Sequence, residues 1–122
     1  MAIILVIDDE EQMRNLLNKM LIRDGHQVFI AQNGVEGVEY FHHCKPDIVI
    51  TDIIMPKKDG FELISDIRKI NPNQLIIAMS GGRRDFNASY NLHSVEMLGV
   101  KGILQKPFAH QQLQEVVQLA LS

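Results

Sequence analysis

The chain has one cysteine, Cys44, so no internal disulfide can staple it, which is what a reducing compartment favours. Basic residues are not in excess: 12 Lys and Arg stand against 15 Asp and Glu, for a net charge of −3. That balance gives no reason to expect nucleic-acid binding by this domain itself, which would need a basic face. No apolar stretch approaches the roughly 18–20 residues that span a bilayer. The apolar opening, Met1 to Ile7, is too short for a signal sequence and runs straight into Asp8-Asp9-Glu10-Glu11. Repeats, low-complexity runs and linkers are missing, and Gly34 and Gly37 do not build a Gly-x-Gly-x-x-Gly phosphate loop. The expectation is one cytoplasmic domain over residues 1–122, with no membrane and no nucleic acid among its contacts.

What is present is an ordinary globular composition, 46% apolar and 22% charged over 122 residues, enough for one sizeable core. Strand and helix patterns alternate five times. Ile3 to Ile7 is a continuous apolar run, as in a strand buried on both faces. Met13, Leu16, Leu17, Met20 and Leu21 then fall on one helical face, and Gly25 supplies a left-handed stop. Gln27 to Ala31 reads as an edge strand. A second helix follows Asn33, with Val35, Val38 and Phe41 inward. Ile48 to Ile50 is a buried strand, and Leu63, Ile64, Ile67 and Ile70 form the stripe of a third helix, ended by Asn71-Pro72. Leu75 to Met79 is a fourth strand. A weaker helix is expected around Tyr90 to Leu98, then a strand at Ile103 to Gln105. The last helix carries Leu113, Val116, Val117, Ala120 and Leu121. Such βα alternation predicts an α/β, doubly wound, five-stranded parallel sheet with five helices on its two faces.

In that fold the carboxyl ends of the strands form one rim, where ligands bind. The residues that reach it are Asp8 and Asp9, Asp52, Ser80 and Lys106. Singly each has an ordinary structural explanation, a helix cap, a turn hydroxyl or a solvated charge. Four strands ending in one such set are hard to explain that way. Three carboxylates in contact repel by about 4 kcal/mol per pair at about 4 Å and an effective dielectric near 20. They call for a hard divalent cation, and a site with few protein oxygens suits Mg²⁺. Such a cation makes attack by a carboxylate on a phosphoryl group feasible, with Lys106 and Ser80 as donors to phosphoryl oxygens.

Asp8-Asp9, the run Asp52-x-x-Met55-Pro56-x-x-Asp59-Gly60, Ser80 and Lys106-Pro107-Phe108 together closely resemble the receiver domain of two-component response regulators, over essentially the whole chain. The resemblance implies a flavodoxin-like sheet of order 2-1-3-4-5. It implies a phosphorelay protein, not an enzyme acting on other substrates, that takes phosphate onto Asp52 from a sensor histidine kinase or a histidine phosphotransfer protein and then contacts a downstream protein. Asp9, Asp52 and the main-chain carbonyl of Ile54 would bind Mg²⁺ directly, and Asp8 through water. Lys106 and Ser80 would contact the phosphoryl group, Ser80 and Ile103 would switch, and the Lys106–Pro107 bond would be cis.

The chain departs from that family's usual pattern. The connection from Gly81 to Ser89 is long and glycine-rich, with Arg83 and Arg84 most simply read as solvated loop charges. Ile103 stands where an aromatic is usual. Ile54 and Gly82 lack the polar groups that orient a hydrolytic water, which implies a long-lived phosphoaspartate. The helix pattern ends at Ser122, which suggests a stand-alone receiver. The alternative is the N-terminal receiver of a DNA-binding transcriptional regulator. A phosphorylation-independent interaction module is disfavoured by the intact acidic set, and a phosphohydrolase by Ile54 two residues after Asp52. His42-His43-Cys44 cannot converge on one ion, because adjacent helical side chains diverge by about 100°. His26, His93 and His110 look isolated.

Overall fold

The computed structural model describes residues 1–53, 55, 59–81 and 98–122. Ile54, Pro56, the connection from Gly82 to Ser89, His93 and the helix expected around Tyr90, apart from Leu98, lie outside the described residues. Five parallel strands, β1 (Ile3–Ile7), β2 (Gln27–Ala31), β3 (Ile48–Asp52), β4 (Leu75–Gly81) and β5 (Gly102–Lys106), pair in the order β2-β1-β3-β4-β5. The described residues hold four helices, α1 (Glu11–Arg23), α2 (Gly34–Cys44), α3 (Gly60–Ile70) and α4 (His110–Leu121).

Period-2 alternation splits each central strand between two cores. Ile4, Val6, Ile48, Ile50, Ile77 and Met79 face α1 and α4, where Leu17, Leu21, Leu113 and Val117 meet them. Leu5, Ile7, Val49, Ile76 and Ala78 face Phe41 of α2 and Leu63, Ile64 and Ile67 of α3. Burial on both faces is why these strands read as unbroken apolar runs. The helical stripes are narrower than their periodicity suggests. Leu16, Val35, Ile70 and Leu121, all expected inward, are exposed. Glycine takes the inward place on α2: Gly34 and Gly37 are buried, and Gly37 sits against Ile7. Ile70 and Leu121 are the final residues of their helices, where the chain leaves the core face.

The register builds the rim. Ile7 pairs with Thr51, so Asp8 is level with Asp52; Asp52 pairs with Met79, and Gly81 with Lys106. Two glycines let the backbones close on it. At Gly60 a Cβ would collide with the Asp52 carbonyl and with Ile53 Cα, and the Gly60 N–H instead donates to the Ile53 carbonyl at 2.7 Å. Gly81 has φ +118°, and a Cβ there would lie 2.7 Å from the Lys106 carbonyl oxygen. Asp59 caps α3 by accepting from the Glu62 N–H at 2.9 Å, so the Asp-Gly pair both starts the helix and docks it beneath Asp52.

Arg68 of α3 is a second brace. Its guanidinium donates to the carbonyls of Leu98, Pro72, Gln74 and Gly99 and holds the entry to β5 against α3. Gly60→Ala should cost about 1–3 kcal/mol, the usual penalty for overpacking, because α3 must back away from Asp52. Urea unfolding measures it, and a loss below about 0.5 kcal/mol, the scale of a neutral surface change, would show that the close approach is not needed.

Candidate functional site

Asp8, Asp9, Asp52, Ser80 and Lys106 all reach the same rim. One carboxylate oxygen from each of Asp8, Asp9 and Asp52 lies within 4.8 Å of the other two. Asp8 is fully buried and Asp52 nearly so. The Lys106 ammonium bridges the pair, 2.9 Å from Asp8 Oδ2 and 3.2 Å from Asp52 Oδ2, with Glu10 Oε1 further off at 3.8 Å. The remaining oxygens are held by backbone: the Glu10 N–H donates to Asp8 Oδ1 and the Ile53 N–H to Asp52 Oδ1, both at 2.8 Å. Arg14 approaches from α1 and donates to the Asp8 carbonyl at 2.9 Å. The Lys106–Pro107 bond is cis.

Lysine does not balance this cluster. Burial pushes the Asp52 carboxyl up from its ordinary 3.8 to about 6; Lys106 opposes that rise and Asp8 adds to it. Burial acts on Lys106 in the other direction, but Asp52 and Asp8 outweigh it and hold the ammonium above its ordinary value. The desolvation cost of Asp52 is thus only partly offset by its salt bridge, as happens when one cation serves several buried anions.

The donor set fits Mg²⁺. Its bonds of about 2.0–2.1 Å put ligand oxygens up to about 4.2 Å apart, close to the spread of these three carboxylates. Ser80 Oγ, at the carboxyl end of β4, is buried with no hydrogen-bond partner among the described residues, so its hydroxyl is unspent. Ile103 is half-buried and packs on the α2 and α3 side of the sheet. Ile54, expected to contribute its carbonyl, lies outside the described residues.

The histidines correct the sequence reading in two places, His110 and His26. His110 is not isolated: its Nε2 lies 3.0 and 2.9 Å from the two oxygens of Asp24, to which Gln114 also donates. Burial alone would raise the Asp24 carboxyl, but the bonds from His110 and Gln114 pull it below its ordinary value. His26 accepts the Ala2 N–H on Nδ1. Both act as fasteners, away from the acidic rim. Sequence reading also passed over Glu10, Arg14 and Arg68; a helix-start acid and charges spaced along helices give no signal of the distant partners they meet.

A doubly wound sheet with an acidic trio, a lysine and a buried hydroxyl on its carboxyl rim defines a phosphoryl-handling signalling fold. The family model for the response regulator receiver domain matches residues 4–118, and the chain belongs to that family. It is 35% identical over 106 residues to the chemotaxis protein CheY of Halobacterium salinarum, covering 86% of this chain and 84% of the relative. It is also 35% identical over 121 residues to the DNA-binding transcriptional regulator NtrC of Azospirillum brasilense, but covers only 24% of that protein. A receiver domain structure from Clostridium thermocellum superposes with a TM-score of 0.90 at 32% identity, over 99% of this chain and 94% of that one. Among the described residues no helix is long and apolar enough to cross a membrane.

The raised Asp52 pKa sets the sign of a pH effect. Its proton is bound more tightly in the folded state, so ionising it costs stability as pH rises from about 4 through 6. Without metal, Asp52→Asn should therefore be more stable than wild type at pH 8, by up to about 3 kcal/mol. The gain should vanish below about pH 4, and Mg²⁺ should reduce it at pH 8. Urea titrations across pH check this, and a variant less stable than wild type at pH 8 without metal would contradict it.

Proposed function

We propose that Asp52 accepts a phosphoryl group from a phosphohistidine on a sensor histidine kinase or a phosphotransfer protein, and that the modified rim changes contacts with a downstream protein. The observation that carries the reading is the buried Asp52 carboxylate at the rim, oriented by the Ile53 N–H and shared with Lys106 beside Asp8 and Asp9. Asp52 attacks phosphorus, a P–O bond forms as the P–N bond breaks, and the imidazole leaves with the bonding electron pair and takes up a proton. Lys106 moves from Asp52 Oδ2 onto a phosphoryl oxygen, and Ser80 gives its unspent hydroxyl to another. Asp9 and Asp52 would hold Mg²⁺, with Asp8 behind them; when bound, the ion would neutralise the carboxylates and the incoming phosphoryl oxygens together. Ser80, drawn inward, leaves room at the carboxyl end of β4, and Ile103 lies on the neighbouring strand, paired with Ala78 two residues before Ser80. Ile103 is β-branched and rotamer-restricted, so it can fill such space but cannot swing a ring outward.

Both kinds of relative bear on the output. The chemotaxis relative is matched over most of its length and supports a receiver that works through protein contact. The transcriptional regulator is matched over about a quarter of its length and supports a receiver joined to a DNA-binding part. The net charge of −3 favours protein contact for this domain itself. In acetyl phosphate with Mg²⁺, wild type should gain a base-labile acyl phosphate. Asp52→Asn should lose essentially all of it, and Lys106→Met should lose more than about tenfold in rate, the scale for losing one electrostatic donor. Undiminished labelling of Asp52→Asn would overturn the assignment.

A further inference from the structure

Glu10 sits where α1 begins, yet its side chain makes no capping bond. Residues chosen to cap helices fold a short oxygen back onto the first turn; Glu10 instead points a long carboxylate across the rim. Its own N–H is fastened to Asp8 Oδ1, so the side chain is anchored beside the cluster while remaining 58% exposed. Its Oε1 lies 3.8 Å from Lys106 Nζ, within ion-pair range but too long for a hydrogen bond. The ammonium has three donors, and two are already spent on Asp8 and Asp52.

We infer that Glu10 is a positioning residue for Lys106, receiving its ammonium when Asp8 and Asp52 turn to a divalent cation. The inference rests on the phosphoacceptor reading of the rim. The oxygens that hold Lys106 belong to the carboxylates that must serve the ion, and ammonium and ion repel each other. Lys106 therefore has to shift, and its flexible four-carbon stem lets it do so. Glu10 is its third carboxylate neighbour among the described residues and the one with no part in the acidic trio. Closing from 3.8 Å to hydrogen-bond distance keeps the ammonium at the mouth of the site, where an incoming phosphoryl oxygen can take it. Without Glu10 the displaced ammonium either stays against the ion or moves into solvent.

A double-mutant cycle on Mg²⁺ affinity, read by calorimetry, isolates this coupling from the plain loss of a negative charge. Glu10→Gln should weaken Mg²⁺ binding about threefold more with Lys106 present than in a Lys106→Met background, the scale of an exposed ion pair. Glu10→Asp, with the same charge on a shorter arm, should behave like Glu10→Gln. Equal losses in both backgrounds, or full retention of affinity by Glu10→Asp, would overturn the role of Glu10 alone. Absence of Mg²⁺ binding by wild type at millimolar concentration would overturn the phosphoacceptor reading with it.

Discussion

One ammonium is shared by two buried carboxylates with a third beside them: Lys106 Nζ touches Asp8 Oδ2 and Asp52 Oδ2, and Asp9 completes the trio. The rest of the rim follows from that imbalance. Burial makes each charge expensive, and a single lysine offsets only part of the cost, so Asp52 holds its proton to about pH 6. A site in this state is poised. It gains stability from any added positive charge, and its lysine is shared between two partners of equal kind.

The fold's contribution is to prevent relaxation. Asp8 and Asp52 cannot separate, because β1 and β3 are hydrogen-bonded neighbours packed on both faces by the two cores. The Lys106 backbone cannot withdraw, because β5 is locked to β4 at a left-handed Gly81 that only a missing side chain permits. Beneath Asp52, Gly60 brings α3 against the strand backbone, and Arg68 ties the same helix to the segment entering β5. A phosphoryl group on Asp52 would thus act on a rigid frame. Its effects should travel through the groups at the rim that can change partners: the Lys106 ammonium and the Ser80 hydroxyl.

Most of this frame was legible in the sequence because its signals are local. Continuous apolar runs mark doubly buried strands, and a strand that ends in aspartate or lysine marks the rim. Sheet order came with the family resemblance, while register emerged only from the structure. The helical faces were read too broadly: periodicity locates a stripe but not its width or where a helix outruns the sheet, so Leu16 stands exposed at the edge of the α1 stripe and Ile70 and Leu121 at their helix ends. Val35 failed for another reason, since Gly37 takes the close approach to β1. What the sequence hid entirely were long-range polar partners. His110 and Asp24 meet across 86 positions, and Arg68 reaches 31 positions ahead to Gly99. Nothing in residue type or spacing encodes those pairings; they exist only once the helices are docked. Glu10 was visible as a helix-start acid, and its reach toward Lys106 was not.

Charge imbalance at Asp52 is the centre of this account, and the protons released on metal binding measure it most directly. Calorimetric titration of Mg²⁺ in buffers of different ionisation enthalpy counts them. With Asp52 near half-protonated at pH 6, binding should release about half a proton per ion there and almost none at pH 8. Asp52→Asn should abolish the release at pH 6. Metal binding that releases no proton at pH 6 would contradict the account, because Asp52 would then be fully ionised beside Lys106 and the rim already balanced.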